Sequence, residues 1–290
     1  TPPVRYLPCV VPCKLYFAAV FILFTVITCL NIKEKSTVNV EAPSVGQMFK
    51  ALVSNDQAMT VVITIVLINC SLYITSNLLI YFFKYDIGGA GWNANYVLFN
   101  TFGGGIQIIS MMLFYPLFRK FISAMQVFYV SFVMAIGGYA VLLALMFTNR
   151  TNIYILMIPG FFIFTAFGML TVLTTVFLAN TVDYGELKNN RRDESVIFSM
   201  QTFVVKLASG VAAMIASICL TISNISNDTS TEAAAMVSDS YTSVAVLRMT
   251  MTVLPIIGLL VAVFIFAKKY ILTDEKLGEI NQELAHRHKA

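Results

Sequence analysis

The sequence predicts an all-α membrane protein with seven transmembrane helices. Three observations carry that expectation. Of 290 residues 58% are hydrophobic and only 12% charged, with a mean hydropathy of +0.79, where an ordinary soluble domain carries about 25% charge. Apolar runs close to the ~20 residues that a helix needs to cross a ~30 Å hydrocarbon core recur along the chain. The segments between them alternate in Lys and Arg content, as loops on opposite sides of a bilayer do.

Composition narrows the function before any motif is read. Twenty-three Phe, thirteen Tyr and fourteen Met accompany a single Trp and two His, which excludes a disordered or nucleic-acid-binding chain. Both histidines, His286 and His288, lie in the tail, so no histidine-based metal site and no nucleophile with its base falls in a polar span, and an enzyme is not expected. Cys29, Cys70 and Cys219 lie inside apolar runs and read as small core residues; Cys9 and Cys13 are close enough in sequence to pair. The chain starts at Thr1, and no charged segment with a small-residue cleavage site precedes the first apolar run, so it reads as a fragment or processed product.

The seven spans are expected at about residues 15–30, 59–83, 94–118, 127–147, 153–181, 196–222 and 244–267. Thirteen Lys and Arg fall on one side of these spans, among them Lys33, Lys50, Arg119, Lys120, Lys188, Arg191, Lys268 and Lys269. Five fall on the other: Arg5, Lys14, Lys84, Arg150 and Arg248. The richer side is read as cytoplasmic, which puts the C-terminus inside, the N-terminus outside and an acidic loop at 223–243 outside. Asn149, Asn224 and Asn227 fit the N-glycosylation pattern on that outer side and are read as chance matches.

Two stretches depart from span and turn. Residues 41–56 place Val45, Met48, Phe49, Leu52 and Val53 at helical spacing, with Gln47 and Lys50 off the stripe, the pattern of a helix along the cytoplasmic membrane surface. From Thr273 the tail has a capping residue, early Asp274 and Glu275, and Leu277, Ile280 and Leu284 on one face. A short amphipathic helix and a frayed solvated tail both fit it.

One ionisable side chain is expected deep in a span. Lys206 follows Ser195 by eleven residues, or about 16 Å of helix, near the bilayer midplane, where a lysine costs about 2.5–3.5 kcal/mol and should face the bundle interior or a water-filled cavity. No Asp or Glu lies inside any of the seven spans. The lysine is therefore neutral, paired with an anionic substrate, or paired with carboxylates outside this chain. Around it the spans are rich in uncharged hydrogen-bonding groups: Asn69, Tyr73, Ser76 and Asn77; Asn100 and Gln107 beside Gly103-Gly104-Gly105; Thr165, Thr171, Thr174 and Thr175; Gln201 and Thr202. Such a set suits a polyhydroxylated ligand such as a sugar, and equally suits hydrogen bonding between helices. Residues 180–195 pack both signs of charge into what composition alone reads as a loop.

These residues carry a resemblance. Asp183-Tyr184-Gly185-Glu186, Arg192, and Gln201-Thr202-Phe203-Val204-Val205-Lys206 resemble the helix ten to helix eleven signature of the glycoside-pentoside-hexuronide:cation symporters, the melibiose permease family of the major facilitator superfamily. Asn55-Asp56-Gln57 and Pro116 with Arg119-Lys120 are also similar, from about Ser44 to the tail; Asn180 departs, since the family often has Asp there. The resemblance implies helix six of such a carrier at residues 1–30, its middle cytoplasmic loop at 31–57, its C-terminal six-helix bundle at 58–270 and a cytoplasmic tail at 271–290. An absent N-terminal bundle would then carry the acidic site for a coupling cation, sodium or proton, and most sugar contacts. Lys206, Thr202, Val205, Gln201, Tyr73, Asn69 and Asn77 become the substrate-binding set, with Lys206 also coupling to the cation. Asp183, Tyr184, Glu186 and Arg192 become a cytoplasmic gate. The implied partners are a sugar or glycoside, the cation and the lipid of a bacterial inner membrane, with no further cofactor. A seven-helix receptor and an inactive carrier half are the competing readings.

Overall fold

A computed structural model describes residues 10–31, 45–89, 91–148, 152–189, 193–223, 225 and 241–287. Arg191, Arg192, the Cys9–Cys13 pair, Asn149, Asn224, Asn227 and most of the expected acidic loop at 223–243 lie outside the described residues or side chains. Every element among the described residues is helical. By length and composition six helices among the described residues can cross a membrane, spanning Asp56–Ile87, Trp92–Phe121, Ala124–Phe147, Ile153–Asn189, Glu194–Ile222 and Ser243–Lys269.

The chain divides into two units, Thr1–Ala42 and Pro43–Ala290. The first holds α1 (Val10–Asn31), of 22 residues, in which Ala18–Asn31 is apolar. Thr25, Thr28 and Asn31 donate to carbonyls one turn earlier, at 2.8 Å each, so their polar groups are satisfied within the helix.

The second unit begins with α2 (Val45–Ser54), which buries Leu52, and α3 (Asp56–Tyr81). Asn55 separates them in an extended conformation, and its side-chain oxygen accepts from the Ala58 N–H, a cap that satisfies one of the free donors at the helix start. The first full span runs on as a π-helical turn, Phe82–Ile87, and stops at Gly88 and Gly89, whose φ of 61° and 78° a side chain would resist.

The next span is α4 (Trp92–Ile109), a π-helical turn at Ser110–Phe114 and α5 (Tyr115–Phe121). Pro116 explains the interruption, because it cannot donate to the carbonyl of Met112 and its ring crowds that turn. The loosened turn lets Ser110 Oγ donate across to the Thr165 carbonyl at 2.6 Å. At this crossing a Cβ on Gly168 would stand 2.7 Å from the Gln107 carbonyl oxygen, so only glycine lets the two backbones meet.

A capping box between Ser123 and Gln126 opens α6 (Ala124–Phe147). The long helix α7 (Ile153–Asn189), with Pro159 inside it, is the most enclosed span. It is followed by α8 (Glu194–Ile222), α9 (Tyr241–Lys269) and α10 (Asp274–Arg287). Phe128, Phe177, Phe266 and Tyr270 join α6, α7 and the end of α9, with ring centroids 4.2–5.2 Å apart. By contrast α4 buries only Phe99 and Gly103, and α8 buries mainly one stripe, Val196, Met200, Val204, Ala208, Ala212 and Ala216. Of the two readings of the tail, the helix is observed: α10 buries Ile280 and Leu284, and Arg287 donates to the Leu187 carbonyl at 3.3 Å.

Candidate functional site

A cavity of about 500 Å³ opens between α3, α4, α7 and α8. From α3 it receives Asn69, Tyr73 and Ser76, from α4 Asn100, Gly104 and Gln107, from α7 Phe164, Thr171 and Thr174, and from α8 Gln201 and Val205. None of the residues that line it is charged. Its wall is fixed by hydrogen bonds within the helices. Asn69 Nδ2 donates to the Ile65 carbonyl, and the Thr171 and Thr174 hydroxyls to the Phe167 and Leu170 carbonyls, each at 2.8 Å. Gln201 Nε2 reaches Thr175 Oγ1 at 3.1 Å and ties α8 to α7. A second cavity of about 30 Å³ adjoins it, sharing Leu72, Ser76, Asn100 and Phe164. There Tyr139 Oη and Thr75 Oγ1 are 2.9 Å apart, and Thr75 donates to the Met251 carbonyl at 3.0 Å.

Of the residues expected to bind substrate, the structure gathers Asn69, Tyr73, Gln201 and Val205 around this cavity. Asn77, Thr202 and Lys206 do not line it and are exposed. Lys206 has no hydrogen-bond or ion-pair partner among the described residues.

The motif Asn55-Asp56-Gln57 sits where three helix ends meet, at the end of the bundle that carries Lys188, Lys268 and Lys269. Asn55 Nδ2 donates to the Thr181 carbonyl at 2.8 Å, and a Cβ on Gly185 would come within 2.6 Å of that nitrogen. Gln57 donates to the Lys269 carbonyl at 3.2 Å and accepts from the Ile271 N–H at 3.0 Å. Asp56 accepts from Lys188 at 2.5 Å and from Tyr184 Oη at 3.3 Å. These contacts correct the expectation of a loop at 180–195: α7 continues to Asn189, because its last turns dock on the capped start of α3. Tyr184 thus pairs with Asp56. Asp183 and Glu186 are half-buried on the same turns, each with a partner of its own, and Arg192 lies outside the described residues. Nearby, burial pushes the Tyr270 phenol above its usual value, partly offset by the Asn180 side chain.

At the opposite end Arg248 of α9 binds Asp86 through two contacts, Nε–Oδ2 at 2.7 Å and Nη2–Oδ1 at 2.5 Å, with the side chains 11% and 6% exposed. The guanidinium also lies 5.9 Å from the Phe147 ring centroid. Sequence alone could not pair them, since 162 positions separate them.

Membrane-length helices around an uncharged polar cavity indicate a multi-pass membrane protein. The chain belongs to the MFS/sugar transport protein family, which it matches over residues 9–274; this is a family of transporters, not enzymes, and the symporter resemblance of the sequence holds. It is 30% identical over 248 residues to a lactose permease of Lactobacillus delbrueckii subsp. bulgaricus, covering 84% of this chain and 37% of that protein. It is 28% identical to a raffinose carrier protein of Pediococcus pentosaceus, covering 83% and 35%. With the uncharacterized symporter YjmB of Bacillus subtilis it shares 24% identity, covering 92% and 56%. The chain thus spans between about a third and somewhat over half the length of these curated relatives.

Proposed function

We propose that this chain supplies the C-terminal bundle of a twelve-helix, cation-coupled sugar symporter, with α1 as the sixth helix of that carrier. The cavity between α3, α4, α7 and α8 is the observation that carries the reading. Its amides, hydroxyls and the Tyr73 ring match the donors, acceptors and CH faces of a sugar. The names of two relatives, lactose permease and raffinose carrier protein, support the same solute class, and a third is named an uncharacterized symporter. In this reading the uncovered faces of α4 and α8 meet an N-terminal bundle, and the two bundles rock to expose the site to each side in turn. Lys206, exposed on α8 beside Thr202, meets carboxylates of that second bundle and competes there with sodium or a proton. The basic end is cytoplasmic, by the excess of Lys and Arg, in a bacterial inner membrane. The end cluster around Asp56, Tyr184 and Lys188 then forms the cytoplasmic gate region together with Asp183, Glu186 and Arg192.

The test is uptake of radiolabelled sugars into proteoliposomes holding the full-length gene product, with and without sodium and proton gradients. Accumulation driven by one gradient is expected, and Lys206→Ala should abolish accumulation while leaving exchange of sugar across the membrane. Sugar binding without any uptake would favour a receptor instead.

A further inference from the structure

We propose that Thr75 is a positioning residue for sugar binding: by bonding the carbonyl that Pro255 frees in α9, it fixes the rotation in which α3 presents Tyr73 and Ser76 to the cavity. The inference rests on sugar transport as the function and adds a residue that acts on the site from behind its wall.

A threonine inside a helix commonly bonds back to the carbonyl one turn earlier. In this bundle Thr60, Thr64, Thr171 and Thr174 do so, each at 2.8 Å. Thr75 departs from the pattern. The carbonyl one turn earlier, that of Ser71, is 3.4 Å away, whereas the Met251 carbonyl of α9 is 3.0 Å away. In a regular helix that carbonyl would accept from the N–H of residue 255. Residue 255 is a proline inside α9 and has no N–H to give. Thr75 supplies the missing proton from the neighbouring helix. With its one proton committed, its oxygen accepts from the Tyr139 hydroxyl of α6 at 2.9 Å, a phenol that is fully buried. A directed chain of hydrogen bonds, Tyr139 to Thr75 to the Met251 carbonyl, thus joins three helices at one side chain.

One turn away the same two helices touch. Ser71 Oγ lies 3.3 Å from the Pro255 carbonyl oxygen, and a Cβ on Gly258 would stand 2.6 Å from that hydroxyl. The face of α3 that meets α9 is nearly opposite the face that meets the cavity: two residues along a helix turn the side chain by about 200°, so Thr75 lies about 160° from Tyr73. A helix held at its back cannot rotate its front. Without the Thr75 hydroxyl the Met251 carbonyl is left unpaired, α3 loses its directional contact with α9, and Tyr73 and Ser76 shift at the cavity wall.

The experiment uses the full-length gene product in proteoliposomes, with lactose, raffinose, xylose and glucuronate as radiolabelled solutes and initial uptake rates as the readout. For the solute that the parent carries fastest, Thr75→Val should raise KM about tenfold with Vmax within about twofold, and Thr75→Ser, which keeps the hydroxyl, should stay within about threefold of the parent. Simple loss of folded carrier would lower Vmax and leave KM alone. Pro255→Ala restores the N–H at position 255, so the Met251 carbonyl is bonded within α9 whether or not Thr75 carries a hydroxyl. In that background Thr75→Val should change KM by less than about threefold. Parental KM in Thr75→Val, an equal rise in Thr75→Ser, or the full tenfold rise in the Pro255→Ala background would overturn this inference while leaving sugar transport intact. Should Pro255→Ala fail to fold, the valine and serine variants decide between the same outcomes. Uptake of none of the four solutes by the parent would overturn the transport reading and this inference with it.

Discussion

Removing Arg248 should destabilise the bundle strongly. The Asp86 carboxylate it binds is only 6% exposed and receives two contacts of 2.7 and 2.5 Å. In Arg248→Met the apolar contact with Phe147 survives, but the carboxylate is stranded, at a cost of about 3–5 kcal/mol. Asp86→Leu removes the two contacts that the carboxylate gives the guanidinium. The double variant removes both desolvated charges and should recover most of the loss, since replacing a buried pair by apolar groups is often neutral or stabilising by about 1–4 kcal/mol. For a domain of about this size 1 kcal/mol moves the melting temperature by roughly 2–4 °C, so each single variant should melt on the order of 10 °C lower in detergent. A fluorescence melting curve on all four proteins measures the coupling directly. Single variants within about 2 °C of the parent, or a double variant no better than the worse single, would refute the reasoning.

Other sites give further tests. Gly168→Ala forces a Cβ to 2.7 Å from the Gln107 carbonyl oxygen, so α4 and α7 must separate at a cost of about 1–3 kcal/mol; because Gln107 lines the cavity, KM for sugar should rise along with the fall in melting temperature. Asn55→Ala loses both the cap on α3 and the 2.8 Å bond to the Thr181 carbonyl; about 2 kcal/mol is expected, with faster hydrogen exchange in α7 beyond Thr181 as the local readout. Lys188→Gln breaks a pair whose side chains are 44% and 53% exposed, so it should cost less than about 1 kcal/mol, and 1 M salt should erase the difference from the parent in a melting curve.

Hydropathy located the six helices that reach membrane length among the described residues, because a span announces itself over ~20 residues without reference to any partner. The polar cavity was partly legible for a similar reason. Asn69, Tyr73 and Ser76 share one arc of α3, at about 0°, 40° and −20°, and all three line the cavity. Asn77 has already turned by about 80° and leaves it. On α8 Gln201 and Val205 lie about 40° apart and face the cavity, while Lys206 lies about 140° from Gln201 and does not. Spacing ranked these residues alike; the width of the opening separated them. The continuation of α7 beyond Thr181 was hidden more thoroughly. Its mixed charges read as a solvated loop, and the Asn55 side chain that holds it is 126 positions away in sequence.

The sequence by itself determined the class of protein, its family and six of the seven expected spans, because these follow from local composition and motif. Only the tertiary structure decided which polar groups share a cavity, that Asp86 belongs to Arg248, and that Asp56 receives Tyr184 and Lys188. Those pairings join distant positions through the rotation and crossing of helices. A difference of one residue turns a side chain by about 100°, and nothing local records what it then meets.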